Sequence, residues 1–315
     1  MRKSTPVRTI AVVLAALLSS VAGAPALAAG DKYALKRTYE PGERLLLSYK
    51  IVNEKKASGK DPSEISIIAS LPISLEVSHG ANPGEKLVKM RFRRVLAELK
   101  GTDLRRVIDS DKPETLLPGM PLDALTKVTF QAVLDKAGKI TSFTGVKEFL
   151  ETSQMKQADA QENEKLQSAV EAGLKQLLEE PFIYLPDKAV APGECWTVKR
   201  KVYGLPIMGS RSVHDEEVEC KLTEVRQTKD GRVAVISIAG EAKIVEGEMP
   251  GDPKTEKKTG KIEYDIDRNM LLSHHIELQG SGTISTDDGR KMALTSRTAI
   301  DTALGKDAEK EAEAK

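Results

Sequence analysis

The residues able to do chemistry are few: two cysteines, Cys195 and Cys220, and four histidines, His79, His214, His274 and His275. His274 and His275 are adjacent on a predicted strand, so their side chains leave opposite faces and cannot readily ligate one ion together. By alternation His274 joins Leu272, Ile276 and Leu278 on an apolar face, which suits a satisfied core or groove histidine better than a ligand. His79 ends a strand beside Gly80. His214 opens the stretch His214-Asp215-Glu216-Glu217, expected as a solvated charge run with at most a weak attraction for cations. Asp265, Asp267 and Asn269 occupy the first, third and fifth places of a calcium loop. Met270 then stands where the sharp turn needs Gly, and Ile276 where the last ligand should be Glu, so the three read as a hairpin end. No G-x-S-x-G elbow, H-E-x-x-H helix, Walker loop or dinucleotide fingerprint occurs. The expectation is therefore no catalytic residue, no metal site, no cofactor and no enzymatic activity.

What the cysteines do depends on compartment. Arg2, Lys3 and Arg8 precede an unbroken apolar run from Ile10 to Leu18, and Ala26-Leu27-Ala28 supplies small residues at peptidase positions. This is the order of a cleavable secretory signal over residues 1–29, cut after Ala28 or Ala29. The apolar run is far short of the roughly 20 residues that span a bilayer. No cysteine lies beside the site to carry a lipid anchor. An exported protein meets an oxidising compartment, where two strand cysteines are expected to pair as Cys195–Cys220. A loop of that length contributes about 3 kcal/mol by chain entropy. The alternative is two separately buried thiols; two sulfurs this far apart lack the close spacing of zinc ligands.

The whole chain has 48 Lys and Arg against 47 Asp and Glu, and removing the leader leaves a net charge of about −2. Such a balance provides no general basic field for a phosphate backbone, so no nucleic-acid partner is expected. No segment after the leader is long enough to span a membrane. Five Phe, six Tyr and one Trp are too few for the aromatic girdles of an outer-membrane barrel. The closing residues 304–315, rich in Ala, Glu and Lys, read as a disordered tail.

The elements that must position these residues are mainly strands. Ile65, Ile67, Ala69, Leu71, Ile73, Leu75 and Val77 share one face, with Ser66, Ser70, Ser74, Glu76 and Ser78 on the other. Fifteen such residues exceed an ordinary strand, so a bend is expected at Pro72. Val88, Met90 and Phe92 alternate with Lys89, Arg91 and Arg93; Ile262, Tyr264 and Ile266 alternate with Glu263, Asp265 and Asp267. One wet face per strand indicates antiparallel pairing. Lys136-Ala137-Gly138, Lys229-Asp230-Gly231 and Asp267-Arg268-Asn269 supply hairpin turns. Between Val146 and Glu180 the period changes: Leu166, Val170, Leu174, Leu177 and Leu178 recur at helical spacing, predicting a short and a longer amphipathic helix ended by Pro181. Pro41-Gly42-Glu43 and Pro192-Gly193-Glu194 each precede a strand, which fits two similar halves and equally a chance recurrence of three turn residues.

At Val190-Ala191-Pro192-Gly193-Glu194-Cys195-Trp196-Thr197-Val198 and Gly260-Lys261-Ile262-Glu263-Tyr264-Asp265, the chain resembles an uncharacterised family of exported bacterial proteins, a domain of unknown function. Its marks are a P-G-[DE]-x-W strand opening and a G-x-x-x-Y-D hairpin. The resemblance implies an extracytoplasmic β-rich fold and transfers no catalytic residue. There is also a fold-level similarity to periplasmic lipoprotein carriers, by analogy only.

The expected fold class is α+β: a large curved antiparallel β-sheet, either in two similar halves or without internal duplication, with a central helical segment. Residues 30–180 form an N-terminal β-rich half with helices at about 146–180, and residues 181–303 a C-terminal antiparallel half. The functional expectation is a periplasmic or secreted protein of unknown biochemical activity with a structural or interaction role, binding other envelope components through sheet edges or acidic strands. Its rival is a binding module or carrier for an apolar or lipidic ligand. A filled core with flat exposed edges favours the first, a cavity lined by strand residues the second.

Overall fold

The computed structural model describes residues 30–35, 39–58, 62–102, 104–116, 122–153, 160–180, 182–204, 212–246, 254–285 and 291–306. The expected leader, the expected helix stop at Pro181 and residues 307–315 of the expected tail lie outside them. Residues 304–306 belong to the last strand rather than to a tail, because they pair with the start of the first strand, Leu45 opposite Lys306.

In chain order the elements are β1 Arg44–Ser58, β2 Ser63–His79, β3 Lys86–Phe92, β4 Leu96–Lys100, β5 Arg105–Asp109, α1 Leu122–Lys127, β6 Phe130–Leu134, β7 Ile140–Thr144, α2 Val146–Thr152 and α3 Ala160–Glu179. They continue with β8 Cys195–Tyr203, β9 Val213–Thr228, β10 Gly231–Glu246, β11 Thr255–Asp265, β12 Met270–Ser285 and β13 Lys291–Lys306. The strands make one antiparallel sheet in the order β7-β6-β3-β2-β1-β13-β12-β11-β10-β9-β8, with β4 and β5 branching from β2. The short helix α1 carries no strong periodic signal and is additional to the two expected helices.

β2 runs continuously through Pro72. This residue sits where one edge of β2 changes partners, from β4 at Ser66–Ser70 to β3 at Ile73–His79. A residue without an amide hydrogen is tolerated at such a gap in the ladder.

The sheet is curled. The eleven strands of the main path would be about 50 Å wide if flat, yet α3 contacts both edge strands, β7 and β8. A 20-residue helix is only about 30 Å long and 10 Å across. The sheet therefore wraps around α3, which also receives hydrogen bonds on its Leu177 and Leu178 carbonyls from Tyr49 and Tyr39. Ala69, Leu71, Ile73, Leu75 and Val77 of β2 are buried in the same apolar cluster as Leu166, Val170, Leu174 and Leu177 of α3. The dry face of β2 does not extend to Ile65, which is 54% exposed.

The two Pro-Gly-Glu turns are built alike. Gly42 N–H donates to Val77 O and Val77 N–H to Glu43 O; Gly193 N–H donates to Leu222 O and Leu222 N–H to Glu194 O. In each, the Glu carboxylate accepts from the backbone three residues earlier, at Glu40 and at Ala191. Gly42 and Gly193 have φ of 93° and 94°, a left-handed conformation that explains glycine there. The two turns lead into β1 and β8.

Candidate functional site

The inner faces of β8, β9 and β11 begin apolar and turn charged along each strand. On β8 the face reads Trp196, Val198, Arg200; on β9 Leu222, Cys220, Val218, Glu216; on β11 Tyr264, Ile262, Gly260, Lys258, Glu256. The same period of two that buries the apolar residues carries Arg200, Glu216 and Lys258 inside. They meet Glu180 from the end of α3, Tyr184 from the following segment, and His274 of β12. Arg200 Nη2 lies 2.8 Å from Glu180 Oε2, and its Nε lies 3.1 Å from Glu216 Oε1. Lys258 Nζ lies 2.5 Å from Glu216 Oε2 and 2.5 Å from the Tyr184 hydroxyl. That hydroxyl also accepts from Arg200 and lies within hydrogen-bonding reach of both carboxylates, 3.1 Å from Glu180 and 2.9 Å from Glu216.

Lys258 can cross β10 to Glu216 because the residues on β10 below its path are Gly240, directly opposite Lys258, and Ala242, opposite Glu216. Glu256 reaches Ser296 Oγ at 3.0 Å in the same manner, over Gly280, which is opposite both. Small residues on the intervening strand provide both passages.

Two cations and two anions cancel, so the cluster is an internally neutralised ion network. Burial penalises the Glu180 carboxylate, but Arg200, then Lys258, overcome this and hold it to about 2. Glu216 is lowered too: burial opposes ionisation, and Lys258 and Arg200 outweigh it. Burial draws Lys258 below its ordinary value against the pull of Glu180 and Glu216. It lowers His274 to about 4, so this imidazole is neutral near pH 7. His274 packs beside the Tyr184 ring at a centroid distance of 5.3 Å. Neither ring nitrogen has a hydrogen-bond partner among the described residues, nor does Thr302 Oγ1 across the ladder from it. His274 is thus a core histidine, as expected, but not a satisfied one.

The cluster fixes the segment that follows α3. Tyr184 is held by its hydroxyl, and its carbonyl accepts from Trp196 Nε1 at 3.0 Å. Its neighbours Phe182, Ile183 and Leu185 project to the other side, where with Tyr39, Val88, Leu134, Ile140 and Leu178 they line a cleft of about 420 Å³. Lys139, Glu179 and Asp187 are the charged residues of its lining, and the β6–β7 hairpin turn at Ala137-Gly138 forms the facing wall. Asp135 holds that turn by accepting from Ala137 and Lys139 backbone N–H groups at 2.8 and 2.9 Å.

Three sequence expectations need correction. Cys195 and Cys220 do not form a disulfide; both are free, Cys195 exposed and Cys220 buried. In the β8–β9 register Cys220 is opposite Trp196 and Cys195 opposite Lys221, so the two thiols leave opposite faces of the sheet. The His214–Glu217 run is not wholly solvated: Asp215 and Glu217 face out, whereas Glu216 is 3% exposed. Leu272 does not share the face of His274, because a bulge opposite Glu263 and Tyr264 brings Leu271 inward instead. The Asp265 to Asn269 stretch is a hairpin end: Asp265 accepts from Arg268 N–H at 2.8 Å, Asn269 is left-handed, and Tyr264 donates to the Asn269 side chain. No group of three or more metal-ligating side chains occurs among the described residues.

The residues of the ion network all lie within the stretch 84–289 that matches the family of unknown function DUF6263. The chain belongs to that family. The Trp196 and Tyr264-Asp265 positions of the two sequence motifs therefore have structural duties in this DUF6263 protein, the first clamping the Tyr184 segment and the second closing a hairpin. No curated protein sequence matches the chain. Among solved structures it is similar to lipovitellin, from a study of lipid–protein interactions, at 9% identity and a TM-score of 0.45 over 85% of this chain. It spans about a quarter of that protein, 26%. An outer-membrane channel from Pseudomonas putida F1 is similar at 8% identity and a TM-score of 0.22, covering 89% of this chain and 100% of that one. A DUF1329 family protein from Desulfovibrio piger is similar at 12% identity and a TM-score of 0.15, covering 84% and 86%. No helix among the described residues is long and apolar enough to cross a membrane.

Proposed function

We propose that this DUF6263 protein is an extracytoplasmic binding module for a small apolar or amphipathic ligand, held between the β6–β7 hairpin and the Phe182–Leu185 segment. The supporting observation is the cleft itself. Its volume, about 420 Å³, lies in the range of small-molecule sites, and its lining combines apolar side chains with the charged Lys139, Glu179 and Asp187. Ile140, Phe182, Ile183 and Leu185 are left partly exposed there although they pack on the main core. A ligand that covers them removes apolar surface from water, while Lys139, Glu179 and Asp187 are available to its polar end.

Docking through sheet edges is less well supported. Edge strand β8 carries exposed Lys199 and Lys201, a common guard against strand addition, and the Tyr203 N–H is taken by Gln176 of α3 at 2.7 Å. Native mass spectrometry of protein purified from its own host tests the proposal. A bound apolar molecule released by unfolding supports it; a ligand-free chain that also fails to take up fatty acids, sterols and quinones in a screen contradicts it.

A further inference from the structure

A second site stands on the outer face of the sheet, independent of the cleft. Arg44 of β1, Lys89 and Arg91 of β3, and Arg93 just after it line a groove of about 630 Å³ with Leu46, Ser74, Glu76, Thr129 and Gln131. All four cations are exposed, and the one acid among the lining residues is Glu76, whose carboxylate is 3.7 Å from Arg44.

The state of the arginines distinguishes this groove. Arg94, Arg105, Arg226, Arg232 and Arg297 each meet a carboxylate at 3 Å or less. Arg91 and Arg93 have no carboxylate partner among the described residues. Arg91 donates through Nε and Nη2 to Thr129 Oγ1, and Arg93 through Nε to Ser74 Oγ. A neutral hydroxyl orients a guanidinium without cancelling its charge, and the remaining N–H groups of the fork stay free to bind. Lys89 and Arg91 of β3 recur at roughly 6.6 Å, and Arg93, one residue past the strand end, follows two positions on. Arg44, two strands from Lys89, closes the side of the frame. In a chain of nearly balanced charge this is a local excess of cations facing one concavity.

We infer that this groove binds a ligand carrying two or more phosphate groups, gripped by the Arg91 and Arg93 forks with Lys89 and Arg44 as flanking charges. Guanidinium–phosphate pairs are commonly bidentate and are strengthened by charge. The repeat of the cations along β3 suits successive anionic groups rather than one. The source of the phosphates is either a soluble polyphosphorylated molecule or a lipid headgroup.

The test uses the folded full chain and two probes: sodium tripolyphosphate in isothermal titration calorimetry, and phosphatidylcholine vesicles with and without cardiolipin in sedimentation. Expected is binding that weakens with salt and falls by about tenfold or more in Arg91→Ala/Arg93→Ala, while Arg297→Ala, from a neutralised outer-face arginine, leaves it unchanged. Arg91→Lys/Arg93→Lys should retain part of the affinity, which separates lost forks from a lost fold. Binding of tripolyphosphate assigns a soluble source; binding of cardiolipin vesicles alone, with the same variant response, assigns a lipid. Failure of both probes to bind at low salt, or binding indifferent to the double variant, overturns the inference.

Discussion

Lys258 Nζ lies 2.5 Å from the hydroxyl of Tyr184, 74 residues earlier in the chain, and this contact ties the inner face of the sheet to the segment that walls the cleft. Tyr184→Phe keeps the ring and removes the one atom shared by Lys258, Arg200 and the two carboxylates. The expected loss is about 1–3 kcal/mol, the cost of leaving buried polar groups short of a partner. Lys258→Met should cost more, about 3–5 kcal/mol, because it leaves two buried carboxylates, Glu180 and Glu216, with Arg200 as their one remaining cation. Urea unfolding of both variants and their double mutant measures this; additive losses would show that Tyr184 and Lys258 are not coupled.

Acid should weaken the fold in two stages. The unfolded chain protonates its histidine as pH falls below 6.5, whereas folded His274 stays neutral until about 4. Stability therefore declines from pH 6.5 to about 4 by on the order of 3 kcal/mol and then levels for this group. Glu180 acts lower: its stabilising contribution is complete above about pH 4.5 and lost as pH falls through about 2. His274→Gln should flatten the upper stage in urea midpoints measured against pH. An unchanged slope would assign that stage elsewhere.

The thiols should differ in reactivity. Burial pushes Cys220 up to about 12, while Cys195 lies exposed on the outer face. Iodoacetamide should modify one thiol in the native protein, at Cys195, and the second only after unfolding. Rapid native labelling of Cys220 would contradict the register of β8 and β9.

The apolar faces of β2 and α3 fill one core, so Leu71→Ala and Leu174→Ala should each destabilise by about 2–5 kcal/mol. Ser70→Ala, on the outer face of β2, should change stability by less than about 0.5 kcal/mol. Equal damage from Ser70→Ala and Leu71→Ala would show that the strand faces are misassigned.

Strand periodicity made much of this architecture legible. Alternation in β2, β3 and β11 located the inner face, the helical repeat located α3, and the Asp- and Gly-bearing turns located three hairpins. The site was harder to read because the ion network breaks the usual link between charge and exposure. Glu216 lies amid acids in sequence, yet it continues the parity of Leu222, Cys220 and Val218; Lys258 likewise continues Tyr264, Ile262 and Gly260. Following parity past the last apolar residue would have placed both inside. The cleft had no such signal, since Tyr39, Ile140 and Phe182 come together only through the curl of the sheet around α3. The disulfide expectation failed on register: compartment and strand location do not reveal which face a cysteine takes.

The central claim, that the Phe182–Leu185 wall forms a seat for an apolar ligand, is tested most directly by titrating a fluorescent fatty-acid probe into the wild type and Ile183→Glu. Ile183 is partly exposed in the cleft and outside the ion network, so the fold should survive the change. Saturable binding to the wild type, lost or weakened by about tenfold or more in the variant with an unchanged urea midpoint, is the expected result. Equal binding by both proteins, or by neither, would contradict the account.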